Sequence, residues 1–140
     1  MEKFLKFEHT TNIRVRYADT DKMGIVYNAE YLVYFEVGRA ELMRHYGLPY
    51  TKFEEDGYLL PLVESYVQYF SPAHYDDLLQ VNAILKFEYK PIIKIEYNIF
   101  RDNTTIAKGH TVHSFSKVGS LKPVKPPKIF MDLVKKLESN

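Results

Sequence analysis

Cysteine is absent from the 140 residues of this chain. Disulfide bonds, thiolate nucleophiles and cysteine-ligated zinc are therefore excluded. The chain also lacks any stretch that approaches the roughly 20 consecutive apolar residues of a membrane-spanning helix. Its first ten residues, MEKFLKFEHT, contain no apolar segment of signal-peptide length. We therefore expect a cytoplasmic protein without a membrane span.

A strong charge of one sign is missing as well. The chain has 19 Lys and Arg against 18 Asp and Glu, which gives a formal net charge of +1. A general nucleic-acid binder usually needs a concentrated basic face, so we expect no nucleic-acid partner. The 46% of hydrophobic residues is typical of a globular protein. The length suits a single domain, residues 1–140, with a core over about 10–118 and a Lys/Pro-rich, weakly helical tail over 119–140.

The segment NAEYLVYFEVGRAELMRHYGLP predicts one long helix. Asn28 is a candidate N-cap, and Gly47 followed by Pro49 is a stop signal. Apolar residues cover so much of the helix that we expect it to be largely enclosed. Glu36 and Arg39 lie three residues apart, a spacing that suits an ion pair on the helix surface.

Most of the remaining chain has the pattern of β-strands. NIRVRY and LLQVNAILKFEY alternate apolar and polar residues, and two more long runs flank Asp102-Asn103, a pair suited to a hairpin turn. The order of one strand, one long helix and four long strands predicts an α+β fold with an antiparallel sheet of about five strands curled around the helix. Pairing between protomers commonly covers exposed sheet edges, so we expect a dimer.

The junction YADTDKMGIVYNAEY, residues 17–31, has three interpretations. Asp19 and Asp21 suit an ordinary turn. DTDKMGIVYNAE also partly matches a calcium loop, although Met23 takes a ligand position and a strand replaces the helix that should precede the loop. The third interpretation is catalytic, because a carboxylate just before a helix faces free N–H groups that can stabilise an oxyanion. No metal is expected from the five histidines, which show no ligand spacing with acids.

The segment RYADTDKMGIVYNAEYLVYFEVGRAELMR resembles the signature of the hotdog-fold acyl-CoA thioesterases, specifically the 4-hydroxybenzoyl-CoA thioesterase family. The shared pattern runs from an aromatic residue and an acid, through Gly-Ile/Val-Val-aromatic, to Phe-Glu and Ala/Gly-Arg on the helix. The resemblance implies a hotdog fold that hydrolyses an acyl-CoA to a free acid and coenzyme A without a cofactor. It also implies a homodimer or homotetramer, and acyl carrier protein as a second possible carrier of the acyl group.

Carried over to this chain, the family's catalytic carboxylate falls on Asp21 and its oxyanion donor on the backbone N–H of Asn28. Tyr17 matches an aromatic position implicated in some members. Many relatives carry His at position 28, and the change to Asn keeps the backbone donor but removes any role of that side chain. The resemblance places Gly24, Ile25, Val26, Tyr27 and Tyr31 around the substrate, and Lys90, Lys94, Lys122 and Lys125 near the coenzyme A phosphates.

Two other functions remain open from the sequence. One is a non-catalytic acyl-CoA-binding module on the same fold. The other is a hotdog hydratase or dehydratase, although such enzymes generally pair His with an acid and this segment has no His. The sequence also leaves open the acyl group, whether aromatic, short or long. It does not separate Asp21 as a general base from Asp21 as a nucleophile.

Overall fold

The computed structural model describes residues 3–139, which form three α-helices and seven β-strands. In chain order the elements are β1 (Leu5–Arg14), α1 (Glu30–His45), α2 (Tyr50–Glu55), β2 (Tyr58–Leu59), β3 (Leu62–Tyr69), β4 (Leu78–Phe87), β5 (Ile92–Arg101), β6 (Thr104–Ser114), β7 (Ser116–Lys117) and α3 (Lys128–Glu138).

Five strands form one antiparallel sheet in the order β1-β4-β5-β6-β3, and β2 pairs with β7 in a separate ribbon. The predicted hairpin is confirmed, because Arg101 pairs with Thr104 across the two-residue turn. Asp102 in that turn has a φ of 54°, which Asp tolerates better than most residues. The predicted α+β architecture is therefore confirmed.

Helix α1 packs against one face of the sheet, in contact with β1, β3, β4 and β5. Two glycines allow this close packing. A Cβ at Gly109 would lie 2.0 Å from the carbonyl oxygen of Tyr66, and a Cβ at Gly38 would lie 2.7 Å from Val81 Cγ1. Both distances are shorter than van der Waals contact, so a side chain at either position would push helix, sheet or strand apart.

Three predictions about α1 and the strand before it are wrong. The helix begins at Glu30 with Ala29 as its N-cap, so Asn28 does not cap it. Leu32, Val33 and Val37 are exposed, because the sheet of one chain covers only one side of α1. The first strand begins at Leu5 and ends at Arg14, which leaves Tyr17 in a short 3₁₀ turn after it.

The last helix belongs to the core. Phe130 and Val134 of α3 are fully buried, and the side chain of Phe7 in β1 is only 2% exposed. All three belong to the same apolar cluster, so the core extends beyond residues 10–118 at both ends. Within residues 3–139, no helix combines the length and the apolar character needed to cross a membrane.

Candidate active site

The segment between β1 and α1 is held in a tight turn by its own backbone. The N–H of Asp21 donates to the carbonyl of Ile25 at 2.9 Å, and the N–H of Gly24 donates to the carbonyl of Asp21 at 3.0 Å. Gly24 has a φ of 78°, a conformation that glycine adopts without strain. Isolated bridges join Thr20 to Val26 and Ile25 to His74, so this turn is anchored to the loop after β3.

Asp19 supports this loop from inside the protein. Its carboxylate, only 2% exposed, accepts hydrogen bonds from the Arg16 backbone at 3.0 Å, the Arg16 guanidinium at 2.9 Å and the Tyr34 hydroxyl at 2.9 Å. Burial alone would raise the pKa of Asp19, but these hydrogen bonds hold it below its usual value. Of the three interpretations of this segment, the turn therefore applies to Asp19. Its carboxylate is already hydrogen-bonded within the protein, which argues against a calcium loop.

Tyr34→Phe should lower the free energy of unfolding by about 1–3 kcal/mol, because a buried carboxylate oxygen of Asp19 loses one of its two donors. The lowered pKa of Asp19 contributes stability above the pKa of the unfolded carboxyl, and that contribution is lost as pH falls through the folded pKa. Losing the donor raises the folded pKa, so acid destabilisation should begin at a higher pH. Urea unfolding across a pH series measures both effects. Tyr75→Phe, on an exposed ring, should change little, and an unchanged Tyr34→Phe curve would contradict this role.

Asp21 is placed differently from Asp19. It is half-buried, and its Oδ1 accepts a hydrogen bond from the Met23 N–H at 2.8 Å. The other carboxylate oxygen accepts no hydrogen bond from residues 3–139. Asp21 also lines a cavity of about 440 Å³ that reaches the start of α1. One oxygen thus serves the turn while the second remains available for chemistry.

The start of α1 offers free backbone donors to the same cavity. The N–H groups of Asn28 and Ala29 donate to no acceptor within residues 3–139. Asn28 lines the cavity, and its carbonyl accepts a hydrogen bond from the Tyr69 hydroxyl at 3.0 Å. Free N–H groups at the positive end of a helix can stabilise an oxyanion, and of these two residues Asn28 lines the same cavity as Asp21.

Part of the cavity wall, at the end of β3 and in the loop after it, was not predicted from the sequence. Tyr31 packs edge-to-face on Tyr69, with ring centroids 5.5 Å apart, and burial raises the pKa of Tyr31 to about 12. Both rings present amphipathic surfaces to a ligand. In the sequence, Tyr69 and Phe70 at the end of β3, followed by Pro72, were the signal that could have indicated this part of the wall. The unpredicted lining residues are Met23, Tyr69, Phe70, Ser71 and Pro72.

The structure brings together only part of the predicted site. Tyr17 is 77% exposed, packs edge-to-face on Tyr75 and does not line the cavity. Gly24 and the exposed Tyr27 flank the cavity without lining it. The predicted residues that do line it are Asp21, Ile25, Val26, Asn28 and Tyr31.

None of the four predicted phosphate-binding lysines lines this cavity. Lys94 lies on β5 between Ile93 and Ile95, which are buried beneath α1, so its side chain points to the other face of the sheet. Of the other three lysines, Lys90 lies 3.8 Å from Glu88 in an exposed ion pair, and Lys122 and Lys125 are exposed after β7. The role of all four lysines as phosphate contacts remains a prediction.

Comparison with known proteins gives a consistent family. The model of the thioesterase-like superfamily matches residues 15–134. The Bacillus subtilis protein YneP is 36% identical over 86% of this chain and 88% of its own length. Acyl-CoA thioesterase YbgC of Haemophilus influenzae is 32% identical over 83% of this chain and 86% of its own. A crystal structure of the DHNA-CoA thioesterase of Staphylococcus aureus has a TM-score of 0.85 at 25% identity, covering 94% of this chain and 91% of that one.

Proposed function

This chain belongs to the thioesterase-like superfamily and has the hotdog fold, and we propose that it hydrolyses the thioester bond of an acyl-CoA, releasing a free acid and coenzyme A. The observation that carries this proposal is that Asp21 and the free N–H of Asn28 line one cavity. The names of YbgC and of the Staphylococcus aureus enzyme support the same substrate class.

The chemistry needs little beyond these two groups. The leaving thiol has a pKa near ~8.5 if it resembles cysteine, so it departs as a thiolate without strong protonation. The N–H of Asn28 would stabilise the negative oxygen of the tetrahedral intermediate, a contribution of roughly 3–4 kcal/mol at other acyl-transfer sites. No histidine dyad is required for either step.

Two routes use the free oxygen of Asp21. As a general base, the carboxylate takes a proton from water while the water oxygen attacks the thioester carbon, and collapse of the intermediate expels the thiolate. As a nucleophile, it attacks that carbon itself, expels the thiolate and forms a mixed anhydride that water then hydrolyses. Both routes require an ionised Asp21 and the same oxyanion donor, so they share the variants that test them.

Release of free thiol from a panel of acyl-CoAs tests the proposal directly. The panel should include short, long and aromatic acyl groups, because the site leaves this choice open. With no cysteine in the chain, every thiol that appears comes from the substrate. Steady release from at least one acyl-CoA is expected. Binding without release would favour an acyl-CoA-binding module, and addition of water to an enoyl-CoA without release would favour a hydratase.

We propose that the working form is a dimer joined through β3. This strand lies at an edge of the sheet, and seven of its eight residues are exposed, Leu62, Val63 and Tyr66 among them. An exposed, apolar edge strand is a site for pairing with another chain. Two-fold antiparallel pairing would set the end of β3 beside the start of the partner's β3, so the partner would complete the wall of the cavity near Tyr69.

Tyr66→Lys should convert this dimer into monomers, because the substitution places two like charges near the two-fold axis at the middle of β3. Light scattering after size exclusion measures the change as a fall to the mass of one chain. Tyr75→Lys makes the same substitution at an exposed tyrosine outside β3 and should leave the assembly intact. A parent protein of one-chain mass at micromolar concentration would contradict the dimer.

A further inference from the structure

A second cavity, of about 320 Å³, lies beneath the second half of α1. It shares no lining residue with the candidate active site. At roughly 30 Å³ for each non-hydrogen atom, taken from the volume of liquid water, it has room for a group of about ten such atoms. Its walls are mainly apolar and include Ala40, Met43, Leu60, Ile93 and Ile95.

Arg39 lines this cavity and has no counter-ion. The expected ion pair with Glu36 is wrong, since no carboxylate of residues 3–139 lies within ion-pair distance of Arg39. A half-buried guanidinium beside an apolar cavity loses hydration that a bound anion could replace. The chain's four other arginines all have partners: Arg14 with the Asp76 carbonyl, Arg16 with Asp19, Arg44 with Glu41 and Arg101 with Asp77.

A directed chain of hydrogen bonds ends at the polar side of the cavity. His113 Nδ1 lies 3.2 Å from the Leu60 carbonyl, which can only accept, so Nδ1 carries the proton. Nε2 then accepts from the Thr111 hydroxyl at 2.9 Å, and Thr111 accepts from the Tyr97 hydroxyl at 2.6 Å. Burial raises the pKa of Tyr97, and Arg39, whose side chain lies close enough to interact with the phenol, opposes part of that rise.

Arg39 is the one cationic side chain among the residues that line this cavity. Burial lowers the pKa of His113 to about 4, and the charge of Arg39 acts in the same direction, so the imidazole is neutral near pH 7. Tyr50 adds a phenol hydroxyl to the lining. Glu36 also lines the cavity but is exposed, so water screens its charge far more than that of Arg39.

We propose that this cavity binds a small carboxylate with an apolar body, with the carboxylate paired to Arg39 and the body among the apolar walls. Guanidinium binds carboxylate through parallel N–H donors, and the pair would restore to Arg39 the counter-ion that the chain does not supply. Acids of this class are also what thioester hydrolysis releases, but the binding stands without that reaction.

Methionine methyl NMR can locate the ligand, because Met43 lines this cavity and Met23 lines the candidate active site. With octanoate as the probe, which has about ten non-hydrogen atoms, the methyl signal of Met43 should shift and saturate. Octanamide has the same shape without the charge, so it cannot make charge-assisted hydrogen bonds to Arg39. It should bind about 10- to 100-fold more weakly, which is the affinity equivalent of the free energy of such a bond. This comparison needs no variant.

Arg39→Met should weaken octanoate binding to the level of octanamide. Arg44→Met removes an exposed arginine of the same helix and should leave the affinity unchanged. Asp21→Asn should also bind octanoate like the parent, which separates this site from the proposed catalysis. The proposal is overturned if octanoate leaves the Met43 signal unmoved, if octanamide binds equally well, or if Arg39→Met binds octanoate like the parent.

Discussion

Asp21→Asn should reduce thiol release from acyl-CoA by about 10²- to 10⁴-fold, the range that a positioned acid–base group supplies. The amide has the shape of the carboxylate but can neither take a proton from water nor attack a thioester carbon. Its oxygen can still accept the hydrogen bond that the Met23 N–H donates to Asp21 Oδ1, so the turn should survive. The fall should therefore lie in the rate, with folding and assembly unchanged.

The matched control for this variant is Asp76→Asn. Asp76 is exposed, lies outside the cavity lining and has a φ of 71°, which Asn also tolerates. Turnover should stay within a few-fold of the parent. Saturation kinetics, circular dichroism and light scattering on both variants separate loss of chemistry from loss of structure. Turnover by Asp21→Asn close to that of the parent would remove Asp21 from the mechanism.

The proposed oxyanion donor, the backbone N–H of Asn28, can be tested by two substitutions of that residue. Asn28→Ala keeps the backbone N–H and, since the Asn28 side chain caps nothing in α1, should change thiol release by only a few-fold. Asn28→Pro removes that N–H and should reduce turnover by about 10²- to 10³-fold. Equal rates for the two variants, both folded, would show that the donor lies elsewhere.

The sequence predicted best those elements whose pattern reports local geometry. The alternation in β4 and the Asp102-Asn103 turn follow from strand pleat and turn chemistry, which neighbouring residues determine. The helix stop at Gly47 is of the same kind, and Gly47 has a φ of 81° after α1 ends at His45.

The sequence could not predict which surfaces meet across the chain. The apolar width of α1 suggested enclosure, but Val33 and Val37 are exposed in one chain, a surface suited to a partner rather than to the core. For the same reason the wall from Tyr69 to Pro72 was missed, because only the folded loops bring it opposite Asp21.

Two acids in one motif show the limit of residue type as evidence. Asp19 and Asp21 are equal in the sequence as turn residues, and the resemblance alone favoured the second. Their difference is one of surroundings: the Asp19 carboxylate has four donors from Arg16 and Tyr34, whereas the Asp21 carboxylate has one donor and lines a cavity. Such an assignment depends on contacts like that between Tyr34 and Asp19, which lie 15 residues apart in the sequence, and no local pattern contains them.

Phe130→Ala should lower the free energy of unfolding by about 3–5 kcal/mol, although the lysines and prolines around it suggested only a tail. The ring is fully buried and lies within 4.8 to 6.3 Å, centroid to centroid, of four other phenylalanines. Truncation would leave a cavity at the point where α3 joins the sheet to α2. The four rings belong to Phe7, Phe53, Phe87 and Phe115.

Urea unfolding followed by circular dichroism measures this loss, with Phe4→Ala as the matched control. Phe4 is about half exposed, at 48%, and makes a cation–π contact with Lys86, so its truncation should cost no more than about 1 kcal/mol. If α3 were only a tail on a finished core, the two variants would unfold at the same urea concentration. A large difference between them means that α3 is part of the core, so that removal of residues 128–139 would expose the apolar surface that Phe130 and Val134 cover and would destabilise the whole domain.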